Sequence, residues 1–211
     1  MGIVKFFKEI FSKDKTADKE ATKDKLFQSE NTFENPELAK KAFRRSKAKL
    51  FNINNWSRLS GLTASFELHK NNGSPVKSKK LREGDFIKIQ LPGPTPENWV
   101  RVINISETSK MASFVVSPSE DPRNKDGEIE HFFIKEATSE FKVEIKGNTI
   151  KAYEIGKNEG INNAGYEAGK RELINTLIAE GGWAGFQKFQ WNMVTEYLVH
   201  KQEIKKKDPQ A

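Results

Sequence analysis

LREGDFIKIQLPGPTPENWVRVINISETSKMASFVVS, residues 81–117, decides the fold class. It holds three runs of strand-forming residues, 86–91, 99–105 and 111–117, divided by turn chemistry. In the first run Ile87, Ile89 and Leu91 share one face, while Phe86, Lys88 and Gln90 share the other. That alternation marks a half-buried strand. Gly84-Asp85 opens the block, Pro92-Gly93-Pro94 closes its first strand, and Glu107-Thr108-Ser109-Lys110 turns the chain between the other two.

Upstream, Asn35-Pro36-Glu37 is a helix start: Asn caps, Pro takes the first helical position and Glu complements the dipole. The helix is expected to run to about residue 50, with Leu38, Ala42, Phe43, Ser46 and Leu50 inward and the lysines outward. A short first strand over 26–33 precedes it, and a polar connection carrying Trp56 follows. Leu62, Ala64, Phe66 and Leu68 alternate in the next strand, and Asn71-Asn72-Gly73 signals a hairpin turn. Downstream, 118–128 reads as an exposed loop and 129–135 with 139–146 as two strands or one bent strand. Gly147-Asn148 is a two-residue hairpin loop into a strand over 149–155. The last element is a helix over about 167–200, with Leu173, Leu177, Ile178, Phe186, Met193, Val194, Tyr197 and Leu198 inward and Gly181-Gly182 in its middle. Strands come in a run, so the class is α+β: an antiparallel meander of about six to seven strands gripped by a long C-terminal helix. The competing architecture is a small β-barrel with appended helices.

Outside this block, residues 1–13 place Ile3, Phe6, Phe7, Ile10 and Phe11 on one stripe of a short amphipathic helix. Alternating Lys with Asp or Glu over 13–25 makes a charged linker. The expected organisation is therefore 1–25 as helix plus linker, 26–200 as the α+β domain, and 201–211 as a basic disordered tail.

Composition narrows the chemistry. The 211 residues contain no cysteine, which excludes disulfides, a thiolate nucleophile and cysteine metal sites. Net charge is +7 with a pI near 9.4, but Lys and Glu are interspersed, the pattern of a solvated surface. No apolar run approaches the roughly 20 residues that span a bilayer. The N-terminal apolar residues are broken by Glu9 and lysines and lead to no cleavage site, so a cytoplasmic chain, with access to a membrane periphery, is expected. His69, His131 and His200 are scattered without ligand spacing, so no metal and no cofactor is expected. Residues 164–171, AGYEAGKR, mimic a phosphate loop, but Arg171 stands where Ser or Thr belongs and no buried strand feeds the loop. No nucleophile elbow occurs, and Asp85 after Gly84 reads as a turn residue. The basic stretches 40–49 and 77–82 lack the paired aromatics that stack on bases, which argues against nucleic acid.

The order of elements resembles the START-like helix-grip superfamily of polyketide cyclases and lipid-transfer domains. Its Pro-containing strand-to-helix turn corresponds to TFENPELAKKAF, and its Trp-bearing connection to NINNWSRLSG. The resemblance covers roughly 26–200 and is one of architecture. It implies a cavity between sheet and terminal helix that takes an apolar or amphipathic ligand, with Trp99, Phe114, His131, Tyr153 and Phe186 as candidate lining. The expected function is a non-enzymatic binding module. The alternatives are a protein that docks on a membrane or partner through its first helix, and a cavity enzyme of cyclase or hydrolase type, for which no motif argues. Trp56 is expected to close one end of the domain near the terminal helix.

Overall fold

The computed structural model describes residues 23–61, 64–77, 80–91, 97–124, 134–159 and 182–204. The N-terminal stripe, Leu62, His131, residues 164–171, and Leu173, Leu177 and Ile178 lie outside the described residues.

Among those described, seven strands form one sheet: β1 (Lys23–Thr32), β2 (Ser65–His69), β3 (Phe86–Gln90), β4 (Asn98–Glu107), β5 (Met111–Ser119), β6 (Thr138–Lys146) and β7 (Thr149–Glu159). Their order is β1-β7-β6-β5-β4-β3-β2, and every neighbouring pair is antiparallel. β1 and β2 are the two ends of that order, so the sheet is open and the barrel alternative is excluded. Helix α1 (Pro36–Phe51) follows β1, a 3-10 turn (Ile53–Arg58) leads on to β2, and helix α2 (Gly182–Leu198) follows β7. Both helices pack on the β1–β7–β6 side of the sheet.

Local chemistry sets the boundaries. Asn35 accepts from the Leu38 N–H at 2.9 Å and caps α1, with Pro36 in its first turn. Ala39, Ala42, Phe43, Ser46, Leu50 and Phe51 are the buried face. Leu38, expected inward, is 41% exposed. The buried stripe is centred on Ala39, Ala42 and Phe43, which leaves Leu38 at its margin in the first turn. The 70–74 turn closes as expected, with Gly73 at φ +77 and its N–H donating to Lys70 O. Asp85 serves a turn too: its carboxylate accepts from the Arg82 N–H at 2.9 Å.

Parity is interrupted twice. In β4 the register shifts between Val102 and Asn104, leaving Ile103 49% exposed. Where β1 meets β7 it shifts between Lys23 and Lys25, opposite Asn158 in the left-handed region at φ 53. Ile150, Ala152, Glu154 and Gly156 alternate inward along β7, and the bulge then turns Glu159 inward as well.

Helix α2 docks across β1 through polar bonds: Ser29 to Thr195, 2.9 Å between hydroxyls, and the Asn31 amide donating to Val199 O, 2.9 Å. It ends where His200 takes φ +67 and the Lys201 N–H returns to Glu196 O. The His200 ring reaches Ser46 Oγ at 3.1 Å and Ala42 O at 3.0 Å, which fastens α2 to α1, and burial lowers the His200 pKa.

Candidate functional site: an aromatic-lined interior with an acidic end

The inner face of the sheet carries Phe66 on β2, Ile87 and Ile89 on β3, Val100 on β4, Phe114 and Val116 on β5, and Phe141 on β6. Trp56 from the 3-10 turn and Trp191 from α2 close over them. Ring centroids lie 5.1 Å apart for Trp56–Phe141 and Phe114–Phe141, 5.2 Å for Phe141–Trp191 and 5.7 Å for Trp56–Phe66. Such edge and offset contacts between rings add to the burial of their area. The rings surround a partly enclosed cavity of about 40 Å³, bounded on its polar side by Thr138 and Ser139. That space takes a few non-hydrogen atoms, since one water needs roughly 10–15 Å³ by the same measure. It is far below the several hundred Å³ of a pocket for a drug-sized ligand.

Trp56 is the hub of this layer, 1% exposed, with its indole N–H donating to Lys49 O at 3.1 Å. Its expected place at one end of the domain is corrected to the centre, because the 3-10 turn lays the indole over Phe114 and Phe141. Of the other candidates, Phe114 lines the cavity. Trp99 is buried on the opposite face of the sheet, edge-on to His69 at 4.8 Å and beneath the Arg123 guanidinium at 5.1 Å. Arg123 is held there by Asp121 and Glu97. Tyr153 also faces outward: its hydroxyl donates to Glu144 at 2.8 Å, and burial followed by Glu144 pushes its pKa up to about 12. The physical reason is the pleat, which puts Val100 and Ala152 inward and their odd-numbered neighbours outward. Phe186 is 4% exposed within the core and does not line the cavity.

Sequence reasoning missed Phe141, Ser139 and Trp191 as lining, and missed a buried acid. Glu154 occupies an inward position of β7 and is 0% exposed. Burial pushes its carboxyl well above the usual carboxylate range, Glu159 adds to this, and Ser139 and Lys25 act against it. A signal existed: Glu154 stands in phase with Ile150 and Ala152, the two apolar positions before it.

A second feature lies on the surface. The two basic stretches of the sequence meet across a solvent-open groove of about 490 Å³, where Lys47 and Lys80 both bind Glu107, at 2.9 and 2.6 Å. Hydrogen bonds from Lys80 and then Lys47 hold Glu107 below its usual range. Glu107 thus ties one lysine of each stretch to the same carboxylate.

Taken together, strand order, helix placement and ringed interior define a helix-grip α+β domain. No family model and no curated protein matches the chain. Solved structures similar to it include a hypothetical protein of Helicobacter pylori, 10% identical over 82% of this chain and 87% of that one, TM-score 0.45. A major latex-like protein of Panax ginseng is 11% identical over 75% and 96%, TM-score 0.39. A norcoclaurine synthase of Thalictrum, solved with a transition-state analogue, is 11% identical over 87% and 99%, TM-score 0.39. The fold rests on the strand order above, not on these likenesses.

Proposed function

We propose that the chain is a non-enzymatic binding module that holds a small apolar or amphipathic ligand between the sheet and helix α2. The observation that carries this is the ring of Trp56, Phe66, Phe114, Phe141 and Trp191 around a cavity that their packing leaves unfilled. Protein interiors ordinarily close such space, because each missing contact forfeits dispersion energy. The size of the cavity favours a compact ligand over a lipid chain. A larger occupant has to displace one of the rings.

Ala137 is 2% exposed on the cavity wall, so Ala137→Val extends two methyl groups into the space. Native mass spectrometry of protein purified from cells is expected to show a small bound molecule on the wild type and none on Ala137→Val, with the variant melting at or above the wild-type temperature. An unliganded wild type that also takes up no small apolar probe would defeat the proposal.

Docking through the first helix is a separate proposal, supported by the sequence stripe Ile3, Phe6, Phe7, Ile10 and Phe11. Among the described residues no helix is long and apolar enough to cross a membrane. A helix of this length is marginally stable alone and folds on contact, so its binding is weak and reversible. Deleting residues 1–13 is expected to leave the melting temperature nearly unchanged and to reduce cosedimentation with anionic liposomes. Equal sedimentation with and without the segment would dismiss the membrane role.

A further inference from the structure

Beside the cavity the inner face of the sheet changes from apolar to acidic. Glu154 lies directly across the β6–β7 pair from Phe141, a cavity wall, and Ser139 on the same wall pairs with Gly156. Glu154 is 0% exposed; among the described residues neither carboxyl oxygen has a partner at good hydrogen-bond geometry, and the Ser139 hydroxyl is the polar neighbour that, with Lys25, favours its charged form. Glu159, brought to the same face by the bulge, is 6% exposed and folds over Gly156, where an added Cβ would collide with its carboxyl. Its other oxygen takes Lys25 Nζ at 3.2 Å and the Gln187 amide at 3.1 Å, while Lys25 also donates to Gln187. On the cavity wall the indole N–H of Trp191 is likewise buried without an acceptor among the described residues. Buried polar groups in folded proteins are nearly always bonded, so an interior carboxyl left open asks for a donor.

We propose that Glu154, with Glu159 beside it, receives the ammonium group of a small primary amine whose apolar body occupies the aromatic cavity. This rests on the binding-module reading above and names the ligand class. The charge count selects it. Among the described residues Lys25 is the cation bonded to this acid pair, and an ammonium brings a second one with three N–H donors, so that Glu154 can take its charged form beside Glu159. A carboxylate or phosphate would instead set a further negative charge beside Glu159 in the same buried space. A neutral alcohol can bond the carboxyl but brings no charge against which Glu154 could ionise.

The proton balance follows. Without ligand, burial and then Glu159 favour the protonated Glu154 carboxyl. The amine enters as an ammonium, the Glu154 proton leaves to solvent, and no bond within the ligand forms or breaks. One proton is released per amine bound, so affinity rises up to tenfold per pH unit until Glu154 ionises unaided. The groups that set this are Glu159 on β7, Lys25 on β1, Ser139 on β6 and Gln187 on α2.

The probes are n-butylamine and 1-butanol, which match in size and differ in charge, titrated at pH 8 and followed by the indole N–H resonance of Trp191. Both are expected to bind, n-butylamine at least tenfold more tightly. Glu154→Gln is expected to abolish that advantage, so that the two probes bind about equally. Calorimetry of the wild type in two buffers of different ionisation heat is expected to show one proton released per amine, a readout that needs no variant. Binding of 1-butanol with no advantage for the amine and no proton release overturns the amine site and leaves the binding-module reading standing. Binding of neither probe overturns both.

Discussion

Trp56→Ala is expected to lower the unfolding free energy by about 3–5 kcal/mol, the range for truncating a fully buried large aromatic. The indole touches Phe66, Phe114 and Phe141, so its loss opens one void beside three rings and enlarges the existing cavity. It also leaves Lys49 O without the indole donor near the end of α1. In a domain of this size the melting temperature should fall on the order of 10 °C. Trp56→Phe keeps a ring and loses only the N–H, so it is expected to cost clearly less. Chemical denaturation of the two variants separates the terms, and a Trp56→Ala loss below about 1 kcal/mol would remove Trp56 from the centre of the core.

The second large effect depends on pH. Glu154 has a folded-state pKa raised above its unfolded value, so between the two the folded state holds a proton that the unfolded state has released. Its contribution is fully present below the unfolded pKa and is lost as pH rises toward the folded one, at up to about 1.4 kcal/mol per pH unit. The Glu154 contribution should therefore decline from about pH 5 upward, against a rise toward about pH 6.5 from His200, whose pKa burial lowers. Glu154→Gln keeps the shape, cannot ionise, and is expected to flatten that decline and to exceed the wild type in stability at neutral pH. Equal slopes for the two proteins in urea titrations from pH 5 to 8 would show that the carboxyl is not desolvated.

Much of the architecture was legible because the deciding signals are local. Asn35-Pro36, Gly84-Asp85 and Gly147-Asn148 each fix a boundary by backbone chemistry that neighbours do not change. Strand faces were less legible. Trp99 and Val100 are both apolar and both buried, so composition cannot tell which one faces the helices and which faces Arg123. Nor does the sequence around Asn158 announce that one residue bulges there and turns Glu159 inward. The ring around the cavity joins Trp56, Phe141 and Trp191, residues that only the folded chain brings together. The acid was the exception. Its phase was on view, but a charged residue in an apolar series reads as an edge position until its burial is known.

Among the described residues strand β1 has a partner on one side only, β7, and the two are distant in the chain: Thr32 pairs with Thr149 and Lys23 with Glu159. The sheet therefore has a timetable. The hairpins from β3 to β7 can close as each is made, whereas β1 is synthesised first and paired last. At 5–20 residues per second β1 waits on the order of ten seconds for β7 to be translated. Helix α2, which fastens β1 through Ser29 and Asn31, is made later still. The newborn chain thus carries a ten-residue strand with both edges open, a form prone to pairing with other chains. Asp24, Lys25 and Glu30 along that strand supply the charge that keeps it apart until its neighbour arrives.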